Sequence, residues 1–140
     1  MNEQEIKQAL ATLEMYRAQA ESLAEQQQII SLSLEEYSRA RETLGKWKDA
    51  AEDAELLVPV GGNSFVFAKV ADNKKVLVGI GSGVTVERPL EDAMRTLEAR
   101  INELAEASKK VADNLSMLEA RTAQLTQLVQ VEYDRMQQQG

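Results

Sequence analysis

The chain contains no cysteine and no histidine. Without cysteine there is no disulfide, no thiolate nucleophile and no sulfur-ligated metal. Without histidine the side chain best suited to proton transfer at neutral pH is missing, and only catalysis by carboxylates stays open in principle. Aromatic residues are 4% of the 140 residues, which is little for a compact core. No run of about 18 apolar residues exists, so no membrane span is expected. The opening Met1-Asn2-Glu3-Gln4-Glu5 lacks the basic and apolar regions of a signal peptide, which points to the cytosol. Excess positive charge is absent as well. The formal net charge is -7 and the basic residues are scattered among acids, which argues against a nucleic-acid partner, since phosphate binding needs clustered Lys and Arg.

Long-range periodicity is what the chain does have. The hydrophobic share of 44% leans on Ala, Leu and Val, a composition that suits long helices. From about residue 4 to 44, seam positions recur in alternating steps of three and four: Ile6, Ala9, Leu13, Tyr16, Ala20, Leu23, Gln27, Ile30, Leu34, Tyr37, Arg41, Leu44. This is a heptad repeat with two polar interruptions, Gln27 and Arg41, and it predicts one stripe buried against a partner helix along its whole length. At 1.5 Å per residue, about 40 residues span roughly 60 Å, so this helix is expected to protrude. The last segment, about 89 to 137, repeats the pattern through Leu90, Met94, Leu97, Ile101, Leu104, Ser108, Val111, Leu115, Leu118, Thr122, Leu125, Val129, Glu132 and Met136. Pro89 stands where the first helical residue belongs, and Glu91 and Asp92 follow in the first turn, matching the positive end of the helix dipole.

The middle of the chain has another texture. Leu56–Val60, Phe65–Val70, Lys75–Ile80 and Val84–Glu87 are short and rich in β-branched or aromatic residues. Turn chemistry separates them at Gly61-Gly62-Asn63, Asp72-Asn73-Lys74 and Gly81-Ser82-Gly83. Two consecutive hairpins are predicted, with Pro59 at an edge position. The stretch 45–55 has two open readings, a continuation of the helix past Gly45 or a packed connection. The organisation is therefore an N-terminal helix over 1–44, a connection over 45–55, hairpins over 56–88 and a C-terminal helix over 89–140. The fold class is α+β, an antiparallel two-helix coiled coil carrying two β-hairpins at one end.

Such a small sheet is not secure alone. Both of its faces carry apolar side chains, and a monomer would leave edges and an apolar face uncovered. Assembly through the strands is the expected solution, with Val58, Val60, Phe65, Phe67, Val76, Val78, Ile80, Val84 and Val86 as the contact set. A helix folded back over the sheet is the alternative, and it needs a helix break, for which Gly45 is the one candidate. Near the termini, apolar residues exceed the needs of the seam. Leu10 and Met15 lie off it in the first helix, and Leu128 and Val131 in the last, beside Leu125, Val129 and Met136. That widening reads as a soft apolar grip or as surface scatter, since Ile29, Leu32 and Met117 are also off the seam in mid-coil.

Other motifs do not develop. Gly79-Ile80-Gly81-Ser82-Gly83 lacks the third glycine of a dinucleotide fingerprint, because position 84 is Val84, and it leads into a strand where the phosphate site needs a helix N-terminus. No Walker-type loop is present. Glu35-Glu36 and Glu91-Asp92 are adjacent acids that diverge on a helix and read as solvated faces. No cofactor and no metal site are expected.

With the long heptad helix, Val58-Pro59-Val60-Gly61 leading into paired hairpins, Gly81-Ser82-Gly83-Val84 in the second turn and Pro89-Leu90-Glu91-Asp92-Ala93 opening a second long helix, the chain resembles the prefoldin alpha-subunit family, in its simpler archaeal form. The resemblance implies a hexamer of two alpha-type and four beta-type subunits, with the strands forming an intersubunit β-barrel platform. It implies a nucleotide-independent holding chaperone, not an enzyme, that binds non-native proteins at the coiled-coil tips and passes them to a group II chaperonin. Carried onto this sequence, the tip is Ile6, Leu10, Leu13, Leu125, Leu128, Val129, Val131 and Met136, and the assembly region runs from Val58 to Val86. Several weak apolar contacts on one acidic, soluble scaffold would give avidity with reversible release. A structural coiled-coil tether without client binding is the competing expectation.

Overall fold

The chain forms α1 (Glu3–Asp49), β1 (Glu55–Gly61), β2 (Ser64–Lys69), β3 (Lys75–Gly81), β4 (Val84–Pro89) and α2 (Leu90–Gln139). The computed structural model describes residues 1–139. Asn2 caps α1, its side-chain oxygen accepting from the Glu5 amide at 2.8 Å. Acidic Glu3 and Glu5 fill the first turn, and Lys46 and Lys48 the last, each favourable toward the helix dipole. Glu91 and Asp92 fill the first turn of α2. Pro89 is the last residue of β4, paired with Lys75, and the helix begins one residue later than the sequence pattern suggests.

The residues form two compact units, Met1–Ser33 with the chain from Leu104 on, and Leu34–Glu103. In the first unit the two helix segments pair antiparallel. The Met1 ammonium meets Glu132 at 3.2 Å, and Gln27 Nε2 donates to Ser108 Oγ at 2.9 Å. Ile6, Ala9, Val111, Leu118 and Val129 are buried in this seam, and Leu13, Tyr16, Leu23, Leu115 and Leu125 are half-buried beside them. Gln27 and Ser108 make one polar layer in an otherwise apolar seam. Such a layer fixes register at some loss of stability, and the loss is visible here, because Gln27 Oε1 is buried without a partner.

In the second unit the seam departs from the predicted heptads. Arg41, expected at a seam position, is exposed, while Ala40, Leu44 and Trp47 are half-buried. Two successive steps of three (Leu34 to Tyr37 to Ala40) move the stripe, as a stammer does in a coiled coil. The helix also runs through Gly45 to Asp49, so the stretch 45–55 divides between the two readings left open for it, helix to Asp49 and a connection after it. A side chain at Gly45 would meet nothing within 4 Å. Gly45→Ala is therefore expected to stabilise the chain by about 1 kcal/mol through helix propensity alone. A melting temperature that falls in the variant would show that the glycine serves a bend.

The connection Ala50–Ala54 is closed by the segment between the hairpins. Asn73 Nδ2 donates to the Lys48 and Ala50 carbonyls at 3.1 and 2.9 Å, satisfying the end of α1. Trp47 Nε1 donates to the Asp72 carbonyl at 3.1 Å, and the Leu90 amide to Lys74 O at 2.7 Å. The Val70 amide donates to the Ala54 carbonyl, and the Asp53 amide to the Val70 carbonyl, each at 3.0 Å. Val70 and Leu90, each 2% exposed, are the most buried apolar residues among the described residues. Turn and helix bases therefore share one small core.

β1 pairs with β2 and β3 with β4, as two separate two-stranded antiparallel ribbons. Every strand consequently has an open edge, Pro59 in β1 included. Both hairpin turns hold three consecutive residues at positive φ, Gly61-Gly62-Asn63 and Gly81-Ser82-Gly83. Gly61 and Gly81, at φ 100° and 110°, take conformations that only glycine adopts cheaply. This repeated turn accounts for Gly81 and Gly83, whereas Gly79 lies within β3 opposite Thr85.

Candidate functional site

Two surfaces stand apart from ordinary packing, one in each unit. In the first unit, α1 and α2 bring Glu3, Ile6, Lys7 and Leu10 together with Tyr133, Met136 and Gln137 around a cleft of about 490 Å³. Of the eight predicted tip residues, Leu10, Leu128, Val131 and Met136 are exposed, Leu13 and Leu125 half-buried, and Ile6 and Val129 buried. Ile6 and Val129 hold the two helices together in this conformation. Leu128 and Val131 are three apart and share a face of α2 outside the seam. Sequence reasoning missed Tyr133, which is half exposed and lines the cleft. Its signal was the run Val129, Tyr133, Met136 in steps of four and three, beside the seam position Glu132. That position is charged because it serves as an anchor, meeting the Met1 ammonium and, at 3.7 Å, Arg135.

The second surface is the pair of hairpins. In β1–β2 the register places Leu57 opposite Phe67 and Pro59 opposite Phe65 on one face, and Leu56 opposite Ala68 and Val58 opposite Val66 on the other. Phe67 is 85% exposed, and Val58, Val60, Phe65 and Val66 are exposed too. In β3–β4, Val76, Val78 and Val86 are half-buried while Leu77, Ile80 and Val84 are exposed. Leu57, Val66 and Leu77 lie outside the predicted contact set although each is more exposed than its members Val58, Val76, Val78 and Val86. An isolated two-stranded ribbon is marginal in water, and apolar side chains on both faces add a strong drive to cover it.

A groove of about 790 Å³ runs where β3 meets the helices, lined by Tyr37, Ala40 and Leu44 from α1, Ala93 and Leu97 from α2, and Val76, Val78 and Ile80 from β3. Arg39, Arg88 and Arg100 also line it. Arg100 is held above the ordinary arginine range, first by its hydrogen bond with Tyr37 and then by that with Glu103. Across the helix bases, Lys48 Nζ meets Glu91 at 2.8 Å. That hydrogen bond, reinforced by the charge of Glu91, raises the lysine above its usual value. A raised folded value makes the pair's contribution whole below the ordinary lysine range and lost as pH climbs through the raised value. The pair is half exposed, so a small alkaline step in melting temperature is expected, and Lys48→Met is expected to remove it. Identical alkaline profiles for the two chains would assign the step elsewhere.

Among the described residues no group of three or more His, Cys, Asp or Glu is placed to hold a metal ion. No helix among them is long and apolar enough to cross a membrane. The geometry is one of uncovered apolar surface on helix ends and ribbons. The family model "Prefoldin subunit" matches residues 16–135. The chain belongs to the prefoldin family. Its curated prefoldin relatives include a prefoldin subunit alpha of Methanopyrus kandleri, 40% identical over 118 residues and covering 81% of this chain and 75% of that one. Another, from Methanothrix thermoacetophila, is 38% identical over 109 residues, 78% of this chain and 71% of the relative. A third, from Pyrococcus horikoshii, is 34% identical over 130 residues, 92% and 88% respectively. Among solved structures, a filamentous prefoldin from Methanocaldococcus jannaschii aligns with a TM-score of 0.67 and 26% identity, covering 83% of this chain and 96% of that one. The prefoldin beta subunit from Thermococcus strain KS-1 aligns at 0.62 with 20% identity, over 91% of each chain, and speaks for the fold. The two long helices and two hairpins predicted from the sequence are thus the prefoldin subunit architecture, and the chain is a subunit of a chaperone family.

Proposed function

We propose that this chain is the alpha-type subunit of a hexameric cytosolic prefoldin, with two alpha-type and four beta-type subunits joined through their strands into a β-barrel platform. The assembly holds non-native proteins at its coiled-coil tips without nucleotide and delivers them to a group II chaperonin. On this reading the chain performs no covalent chemistry. One observation carries the client-holding part. The unit that contains the chain ends leaves Leu10, Leu128, Val131, Tyr133 and Met136 exposed, where a two-helix seam alone calls for polar residues. Apolar contacts of this kind read no sequence, so a broad client range follows. The matching observation for assembly is the pair of ribbons with apolar faces and open edges, which a partner's strands would extend and cover.

The test is reconstitution with a beta-type subunit, followed by dilution of a denatured protein into the complex without nucleotide. Light scattering is expected to stay low at stoichiometric complex. A correctly assembled complex that leaves aggregation unchanged in excess would remove the holding role and favour a structural tether.

A further inference from the structure

Four of the five methionines, Met1, Met15, Met117 and Met136, are exposed, with Met15 at 53%, Met117 at 51% and Met136 at 43%. All four lie in the unit that contains the chain ends. The fifth, Met94, is half-buried at a seam position of the other unit. Each of the three interior exposed thioethers lies on the off-seam apolar surface of this unit, Met136 at the tip cleft and Met15 and Met117 further along the coil. Met136 lines the cleft with Ile6, Leu10 and Tyr133. Met117 precedes Leu128 by eleven residues, about three helical turns, and so shares its face and that of Val131. The Met1–Glu132 and Gln27–Ser108 contacts bracket the register, which sets Met15 level with the turn around Leu118. The chain has no cysteine, so its sulfur chemistry toward peroxides rests on thioethers alone.

We propose that Met15, Met117 and Met136 are oxidation sites through which hydroperoxides switch the client grip off. The inference rests on the client-holding reading of the tips. In the step, the thioether sulfur attacks the terminal peroxide oxygen. The O–O bond breaks, an S=O bond forms, and the other oxygen leaves as water or an alcohol with the proton. Sulfur loses two electrons and the peroxide gains them. The product is a polar, strongly hydrogen-bond-accepting side chain in place of an adaptable apolar one. Burying it against an apolar client forfeits its hydration. The exposed positions let it form without opening the coil, since the seam itself is filled by other residues, among them Ala9, Val111, Leu118 and Val129. A dithiol-dependent sulfoxide reductase reverses the change, yielding thioether, water and a disulfide on the reductant.

The test treats the reconstituted complex with graded hydrogen peroxide, maps sulfoxide at each methionine by peptide mass spectrometry, and measures aggregation suppression and helicity on the same samples. Met15 and Met136 are expected to oxidise several-fold faster than Met94. The complex needed for half-maximal suppression is expected to rise at least threefold, with helicity unchanged, and to return after reduction. A complex built with the triple variant Met15→Leu, Met117→Leu and Met136→Leu is expected to lose less of its own untreated activity. Equal sensitivity of variant and parent places the effect on the partner subunit and overturns the proposal, as does a loss of activity that tracks a loss of helicity. Full activity after complete oxidation of the three sites also overturns it and leaves the holding role intact, whereas an untreated complex that never suppresses aggregation removes the holding role itself and this inference with it.

Discussion

Phe67→Asp is expected to abolish entry of the chain into the assembly while leaving its own fold in place. Phe67 is 85% exposed on its ribbon, so in the isolated chain a polar substitution changes stability by no more than about 0.5 kcal/mol. Covered by a partner's strands, the same ring contributes roughly 2 to 3 kcal/mol of apolar burial. An aspartate there forfeits that contribution and adds the several kcal/mol needed to desolvate an unpaired carboxylate. Together these exceed 4 kcal/mol, a thousandfold weakening or more of each contact that uses the ribbon. Its neighbours cannot compensate, because Leu57 and Phe65 on the same face are apolar. Sedimentation of the variant mixed with a beta-type subunit is the measurement, with circular dichroism as the control for fold. Glu52→Lys, in the connection outside the strands, serves as a charge-change control that assembles. A Phe67→Asp complex of normal size and thermal stability would move the interface away from this face of the first hairpin.

Much of this architecture could be read from spacing, because a coiled coil is a local code. Every seam residue from Ile6 to Tyr37 is buried or half-buried, since a partner helix meets whatever recurs in steps of three and four. The hairpins were legible for a similar reason, their turns demanding glycine at positive φ. The helix bases were not. Arg41 is exposed and Ala40 half-buried because β3 lies against this part of the helices, with Val76, Val78 and Ile80 lining one groove with Tyr37, Ala40 and Leu44. That contact is long-range and leaves no periodic trace. Gly45 left two readings open, and the helix continues through it to Asp49. Glycine lowers helix propensity by only about 1 kcal/mol, less than the capping of the Lys48 and Ala50 carbonyls by Asn73 and the anchoring of Trp47 supply together.

Near the chain ends the sequence reading grouped residues that differ in burial. Ile6 and Val129 were grouped with Leu10, Leu128 and Val131 because all are apolar and near the chain ends. Burial separates them, and so does the second large effect expected here. Replacing the exposed trio Leu10, Leu128 and Val131 by serine is expected to leave the melting temperature of the complex within a few degrees of the parent. It is expected to raise the complex needed for half-maximal suppression of aggregation by tenfold or more. Each side chain offers on the order of 1 kcal/mol when a client covers its exposed part, and 1.4 kcal/mol corresponds to a factor of ten. Several tips acting on one client multiply the loss, because avidity depends on each weak contact remaining strong enough to rebind. Replacing the buried pair Ile6 and Val129 by serine has the opposite profile. It removes seam packing at a cost of roughly 2 to 5 kcal/mol per site, opening the end of the coil and lowering its melting temperature. If the exposed trio instead destabilises the coil and spares aggregation suppression, these residues pack in the assembly and the grip lies elsewhere. If both sets lose activity only in proportion to lost helicity, the tip acts as a scaffold. Loss of holding at full helicity in the exposed set alone assigns the grip to the off-seam faces of α1 and α2.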